Sequence, residues 1–249
     1  MREAMWLSSS KGAGTARPIN RWLREGAVLC AYGLLTVFAT RPVAWRFFSG
    51  VPGFGQDDFQ FLWNFWWVRK AFLEMGVNPL FTPMLFHPQG ASLAFHTLSL
   101  YNTLLLGVPF RDLLGAAGTF NFAYLSAFAL TAYGTYRLVL RVTGDRPAGL
   151  AAGLVLAFSP YHFAHVQHLN VTSVQFLPFY VLALLNLRDR PSPARGVLAG
   201  GVFVLLALSS WHYAVFALYF TLLFGIWFAL GPGKQMGGVR SCALCSSPL

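Results

Sequence analysis

The sequence predicts an all-α integral membrane protein with about six transmembrane helices and a long first outer loop that carries interfacial helices. Three observations lead there. Hydrophobic residues make up 56% of the 249-residue chain and charged residues 10%, against roughly 25% charged in soluble domains. Long apolar stretches recur from residue 27 onward, separated by short polar turns. The 18 Lys and Arg residues outnumber 8 acids and fall in clusters between those stretches, as the positive-inside rule arranges them. Because the net charge of +10 is not gathered along one polar face, it argues against nucleic acid as a partner.

Residues 1–26 carry Arg2, Lys11, Arg17, Arg21 and Arg24 among Ser and Gly, and are expected to form a disordered basic arm held in the cytoplasm. Residues 27–48 form the first span, long enough to cross a hydrocarbon core of about 30 Å, with Arg41 snorkelling outward. A cleaved signal peptide competes with that reading, since Val37-Phe38-Ala39 is a small-x-small site after an apolar run. Residues 49–97 interrupt the apolar pattern with Gly, Pro, Asp57, Asp58, His87 and His96. Within them, residues 59–75 are expected to lie at the membrane surface as a helix, with Trp63, Trp66 and Trp67 at headgroup level.

Residues 98–114 contain Pro109 and the Arg111-Asp112 pair, and charge counting decides whether they cross. If they do not, 13 cations lie on the cytoplasmic side and 5 outside; if they do, 6 lie inside and 12 outside. The first arrangement obeys the rule. It leaves residues 98–114 at the outer interface and both termini in the cytoplasm. Further spans follow at residues 119–139, 147–159, 171–187, 196–211 and 213–230, so the transmembrane domain covers residues 27–231. A disordered tail occupies residues 232–249, where Cys242 and Cys245 supply two metal ligands of the usual four and are expected to be unpaired thiols.

On this topology Asp57, Asp58 and all 6 histidines reach the outer side, together with Trp211. Polar groups at the membrane are costly, so their gathering on one face marks a candidate site. For any one histidine the plainer account is an amphipathic ring in the interfacial belt. Asp57 and Asp58 open the run GQDDFQFLWNFWW, residues 55–67, where capping explains one aspartate but not obviously two. His162, His165 and His168 recur every third residue, which on one helix places them within an arc of about 120° facing a common cavity. That set admits zinc, an anionic group or a proton, although helical zinc pairs favour i, i+4 spacing. His96 and the pair Trp211-His212 complete the candidate substrate-binding group. The sequon pattern at Asn170 is short enough to arise by chance, and no phosphate loop, dinucleotide fingerprint or nucleophile elbow is present.

GQDDFQFLWNFWW, the stretch LFHPQGASLAFHT at residues 85–97, YRLVLRVTGDRPAGLAAGLVLAFSPYHFAHVQHLN at residues 136–170 and SVQFLP at residues 173–178 together resemble the membrane glycosyltransferases of the GT-C class. The bacterial branch of protein mannosyltransferases and aminoarabinose transferases is the most similar, and the likeness covers roughly residues 25–230. It rests on topology and loose patterns rather than on an invariant string. The resemblance implies sugar transfer from a polyprenyl-phosphate-linked donor to an acceptor at the extracytoplasmic face of a bacterial inner membrane. It also implies an outer-loop aspartate acting as general base or as ligand of a divalent cation, a role that falls to Asp57 or Asp58 without choosing between them. Family members are longer, so the chain is expected to be an N-terminal fragment or a frameshifted product, which would leave an inactive scaffold. A transporter or flippase-like protein, with the same acids and histidines as gating or proton-relay groups, is the alternative.

Overall fold

A computed structural model of the chain describes residues 18–231. The expectations for residues 1–17 and 232–249 fall outside the described residues. The first helix, α1, runs over Pro18–Ala39 and takes in Arg21 and Arg24, so the expected boundary at residue 26 lies inside a helix. The physical reason is cooperativity: once the apolar run is helical, each preceding residue adds one hydrogen bond for little further cost. The apolar segment is also not one rod through residue 48. Thr40, with φ −107° and ψ 32°, leaves the helical conformation ahead of Pro42, whose ring cannot continue the ladder, and a short helix α2, Arg41–Trp45, follows. Thr36 and Thr40 bond back to the carbonyls of Tyr32 and Thr36, at 2.8 and 2.7 Å, which satisfies both buried hydroxyls.

Helix α3, Asp57–Arg69, continues as wider π-helical turns over Lys70–Met75 and stops at Gly76, which adopts the left-handed conformation that a side chain would resist. Two acids in its first turn and Arg69 in its last complement the helix dipole. Its apolar face, Phe61 and Phe65, packs on Phe120, Tyr124 and Phe128 of the later central helix, each buried ring contributing on the order of 1.5–3 kcal/mol where water is the alternative. Trp67 departs from the expected headgroup position: it is fully buried and its indole N–H donates to the Pro79 carbonyl at 3.0 Å. The loop beyond holds a minimal antiparallel pair, β1 (Phe81–Thr82) and β2 (Ala91–Ser92), with Phe81 opposite Ser92.

π-helical turns over Tyr101–Gly107 lead into α4, Val108–Thr143, which is broken at Gly115 by a φ of 69°. The piece before the break is short; residues 116–143 run on for about 42 Å. Against this central helix pack α1, α3, α5 (Arg146–Ala157) and, later, α7 (Leu169–Thr172) and α8 (Phe176–Asp189). Between α5 and α7 lies the single-turn α6, Pro160–Ala164, capped by the Ser159 hydroxyl. Helices α9 (Pro193–Ser209) and α10 (Trp211–Ala229) complete the bundle, α8 packing on α9 and α9 on α10. Asn121 of α4 donates to the carbonyls of Phe47 and Gly50, at 2.8 and 2.7 Å, and so fastens the turn that precedes α3.

The molecule is an all-α membrane protein. Four stretches among the described residues are long and apolar enough to cross a bilayer: Asn20–Ala39, Tyr101–Thr143, Leu169–Asp189 and Trp211–Ala229. Only 17% of the first and 11% of the last of these apolar windows is buried against protein, so most of both surfaces faces outward and needs lipid or another apolar cover. Two of the expected spans are shorter than about 20 residues: α9 has 17 residues and α5 has 12.

Candidate functional site

The aspartates at the start of α3 part company. Asp58 is 4% exposed, and its carboxylate accepts from the backbone N–H groups of Gln56 at 2.7 Å and Gly55 at 3.3 Å. It folds back to hold the 53–56 turn, so tightly that a Cβ added at Gly53 would stand 2.4 Å from its carboxyl carbon. Asp57 points elsewhere. Its side chain is 46% exposed, and one carboxylate oxygen lies 3.0 Å from His168 Nε2. A carboxylate only accepts, so His168 donates through Nε2; its Nδ1 is buried without a partner.

Two residues that the sequence reading passed over share the face of Asp57. Gln60 and Asn64 follow it at i+3 and i+7 on α3, within about 60° around the helix axis. Gln60 donates to the Thr97 hydroxyl at 2.9 Å, and Asn64 donates to the Thr97 carbonyl at 3.0 Å. That fixes the Asn64 amide oxygen as the acceptor for His96 Nε2 at 2.9 Å, and therefore the His96 tautomer as the one protonated at Nε2. Burial lowers the proton affinity of His96 below its ordinary value of 6.5. The signal for this stripe was the spacing of polar residues within DDFQFLWN, which lies on one side of an otherwise apolar helix.

The three regularly spaced histidines do not face one cavity. Pro160 starts a helix of a single turn and the chain leaves it at His165, so His162 parts from the other two, whose rings lie 5.6 Å apart. His162 turns into the core and stacks on Phe128, ring centroids 4.0 Å apart, with Nδ1 2.7 Å from the Ala157 carbonyl and Nε2 2.9 Å from the Thr172 carbonyl. Burial pushes its proton affinity down, against the pull of those two carbonyls. His165 bonds the Tyr161 carbonyl at 2.8 Å, and only His168 reaches an acid. No group of three His, Cys, Asp or Glu among the described residues is placed to hold a metal ion, so the zinc arrangement drawn from the spacing is not assembled; Asp57 and His168 would offer a divalent cation two ligands.

His96, Trp211 and His212 do meet. They line a cavity of about 640 Å³ between the 93–100 segment, the end of α9 and the start of α10, together with Thr97, Ser99, Asn170 and Ser210. The remaining walls are apolar, among them Leu93, Leu98, Phe203 and Leu208, and no Asp, Glu, Lys or Arg lines it. Ser99 has a left-handed backbone, φ 50°, which is uncommon outside glycine. Its buried hydroxyl donates to the Ser209 carbonyl at 2.7 Å and accepts from Asn102, which also donates to Ser173 at 2.8 Å. These bonds tie the loop, the π-helical turns, the α7–α8 junction and the end of α9 into one frame. The α3 stripe borders the frame through His96 and Thr97, and His168 stands two residues before Asn170. Comparison of the chain with family models, curated proteins and solved structures returns no match.

Proposed function

We propose that the protein is a multi-pass glycosyltransferase of the bacterial inner membrane. It moves a sugar from a polyprenyl-phosphate-linked donor to an acceptor at the extracytoplasmic face, with Asp57 as the general base. The proposed topology has six spans, in which α5 and α9 cross as short helices and both termini are cytoplasmic. The observation that carries the reading is the division of labour between the aspartates: Asp58 is spent on its own turn, whereas Asp57 is half exposed and held by His168 from a distant part of the chain. Transfer from a phosphate leaving group passes through an oxocarbenium-like state, and the incoming hydroxyl must lose its proton as it attacks. A positioned carboxylate meets that need. The hydrogen bond from His168 fixes its orientation and leaves the rest of the group open to an acceptor.

Asparagine keeps the size of aspartate and much of its hydrogen bonding but removes its basicity. In purified protein reconstituted in liposomes, with a panel of polyprenyl-phosphate sugars as donors, Asp57→Asn is expected to lower transfer by about 10²-fold or more with unchanged folded yield. Asp58→Asn, at equal folded protein, is expected to retain most of the activity. Full transfer by Asp57→Asn would remove the catalytic role and put the transporter reading in front.

A further inference from the structure

Tyr161 stands near the proposed base, and packing leaves most of it uncovered: it is 62% exposed. At a membrane surface an exposed tyrosine is ordinary by itself. What sets this one apart is the row of groups beside it. The His165 ring lies against the Tyr161 ring, centroids 4.2 Å apart, and the His168 ring follows at 5.6 Å. His168 Nε2 ends the row 3.0 Å from the Asp57 carboxylate. The single-turn α6 and the turn behind it thus present one aromatic face that leads from solvent to the acid.

The polar atoms left open along that row accept hydrogen bonds. His165 donates through Nδ1 to the Tyr161 carbonyl at 2.8 Å, so its neutral ring keeps a lone pair at Nε2, which has no partner among the described residues. Asp57 spends one carboxylate oxygen on His168; the other has no partner among the described residues, and the side chain is 46% exposed. A ligand that fills this place must bring several donors and an apolar face for the tyrosine ring. An anionic group would stand against the Asp57 carboxylate. A lone serine or threonine hydroxyl would meet one acceptor and leave the ring uncovered.

We infer that this row is the acceptor subsite and that the acceptor is itself a sugar, the C–H face of one ring stacking on Tyr161 while its hydroxyls donate to His165 Nε2 and Asp57. The inference rests on the transferase reading, because it takes Asp57 as the base, and it adds the class of acceptor. The hydroxyl bonded to Asp57 gives its proton to the carboxylate as its oxygen bonds the anomeric carbon of the donor. The donor's phosphate departs with the electrons of the broken C–O bond.

The test reads binding apart from transfer, by saturation-transfer NMR on the purified full chain in lipid nanodiscs. The probes are the methyl glycosides of mannose, glucose, galactose and N-acetylglucosamine, with N-acetylserine methylamide and glycerol phosphate for comparison. At least one glycoside is expected to bind saturably, its ring C–H protons receiving the strongest transfer. Tyr161→Leu removes the ring but keeps an apolar side chain, and should weaken that glycoside about three- to tenfold, the worth of one aromatic stacking contact. Tyr161→Phe keeps the ring and should bind as wild type does. The inference is overturned if no glycoside binds saturably, if either comparison compound binds as tightly as the best glycoside, or if Tyr161→Leu and Tyr161→Phe bind alike. Its failure is separable from that of the base: absent glycoside binding with Asp57→Asn still inactive removes the sugar acceptor alone, whereas full transfer by Asp57→Asn removes the base whatever Tyr161 binds.

Discussion

His96 is the residue at which the site's electrostatics are most directly open to measurement. It donates through Nε2 to Asn64, and burial holds its proton affinity below 6.5, so the folded protein favours the neutral ring. The sign follows from linkage: the unfolded chain takes up a proton here at higher pH than the folded one. The stability tied to the neutral ring is therefore fully present above about pH 6.5 and lost as pH falls through the depressed folded value. In detergent, the gap in unfolding midpoint between wild type and His96→Gln should narrow from pH 7.5 to pH 5; a gap that widens would reverse the assignment. At this scale the sequence showed which residues were unusual but not what each one does. Asp57 and Asp58 are adjacent and chemically identical, and only the path of the 53–56 turn sends one into backbone amides and the other toward His168. Gln60 and Asn64 were visible as polar positions on an apolar helix, and their partners in the 96–97 segment were not, because the pairs are more than 30 residues apart and the chain between them returns through the loop that follows Gly76.

Elements were legible where apolar runs were long. The helices after residue 115 start and end close to the Pro, Gly and Arg punctuation of the sequence, because a buried or lipid-facing backbone must satisfy its own hydrogen bonds. The kink at Gly115 was legible only as a change in composition, and the histidine triplet misled because a period of three is helical only while the helix lasts. Close approach between helices is the other property hidden from pattern alone. At Gly153 of α5 a Cβ would lie 2.4 Å from the Tyr32 hydroxyl and 2.6 Å from the Ala132 carbonyl, where α1, α4 and α5 converge. The Tyr32 hydroxyl donates across this contact to the Leu150 carbonyl at 3.0 Å. Gly153→Ala should therefore destabilise by about 1–3 kcal/mol through overpacking, although alanine is the better helix former. Gly200→Ala in α9 meets nothing within 4 Å and should be neutral or slightly stabilising. Thermal unfolding of both variants in one detergent checks the contrast, and equal effects would contradict the packing.

At the scale of the whole molecule, the proposed function needs Asp57 and His168 on the side of the membrane opposite the α4–α5 and α8–α9 turns. Composition and helix length make the chain a membrane protein, but side assignment comes from the distribution of cations, a statistical preference expressed during insertion. Two features of the fold bear on it. Arg137 pairs with Glu25 of α1 at 3.5 Å, and Arg141 pairs with Asp189 at the end of α8, which gathers the N-terminal half of α1 and both turns at one end of the bundle. Asp57, His168 and the cavity-lining Trp211 belong to segments at the other ends of those same helices. Single cysteines placed at the exposed positions Gln56, Tyr161, Thr143 and Pro191, in protein whose own three cysteines are replaced, report the arrangement directly. With a membrane-impermeant thiol reagent on intact cells stripped of their outer barrier, positions 56 and 161 should label, and positions 143 and 191 should label only after the membrane is opened. Labelling of 143 and 191 from outside, with 56 and 161 protected, would contradict the account.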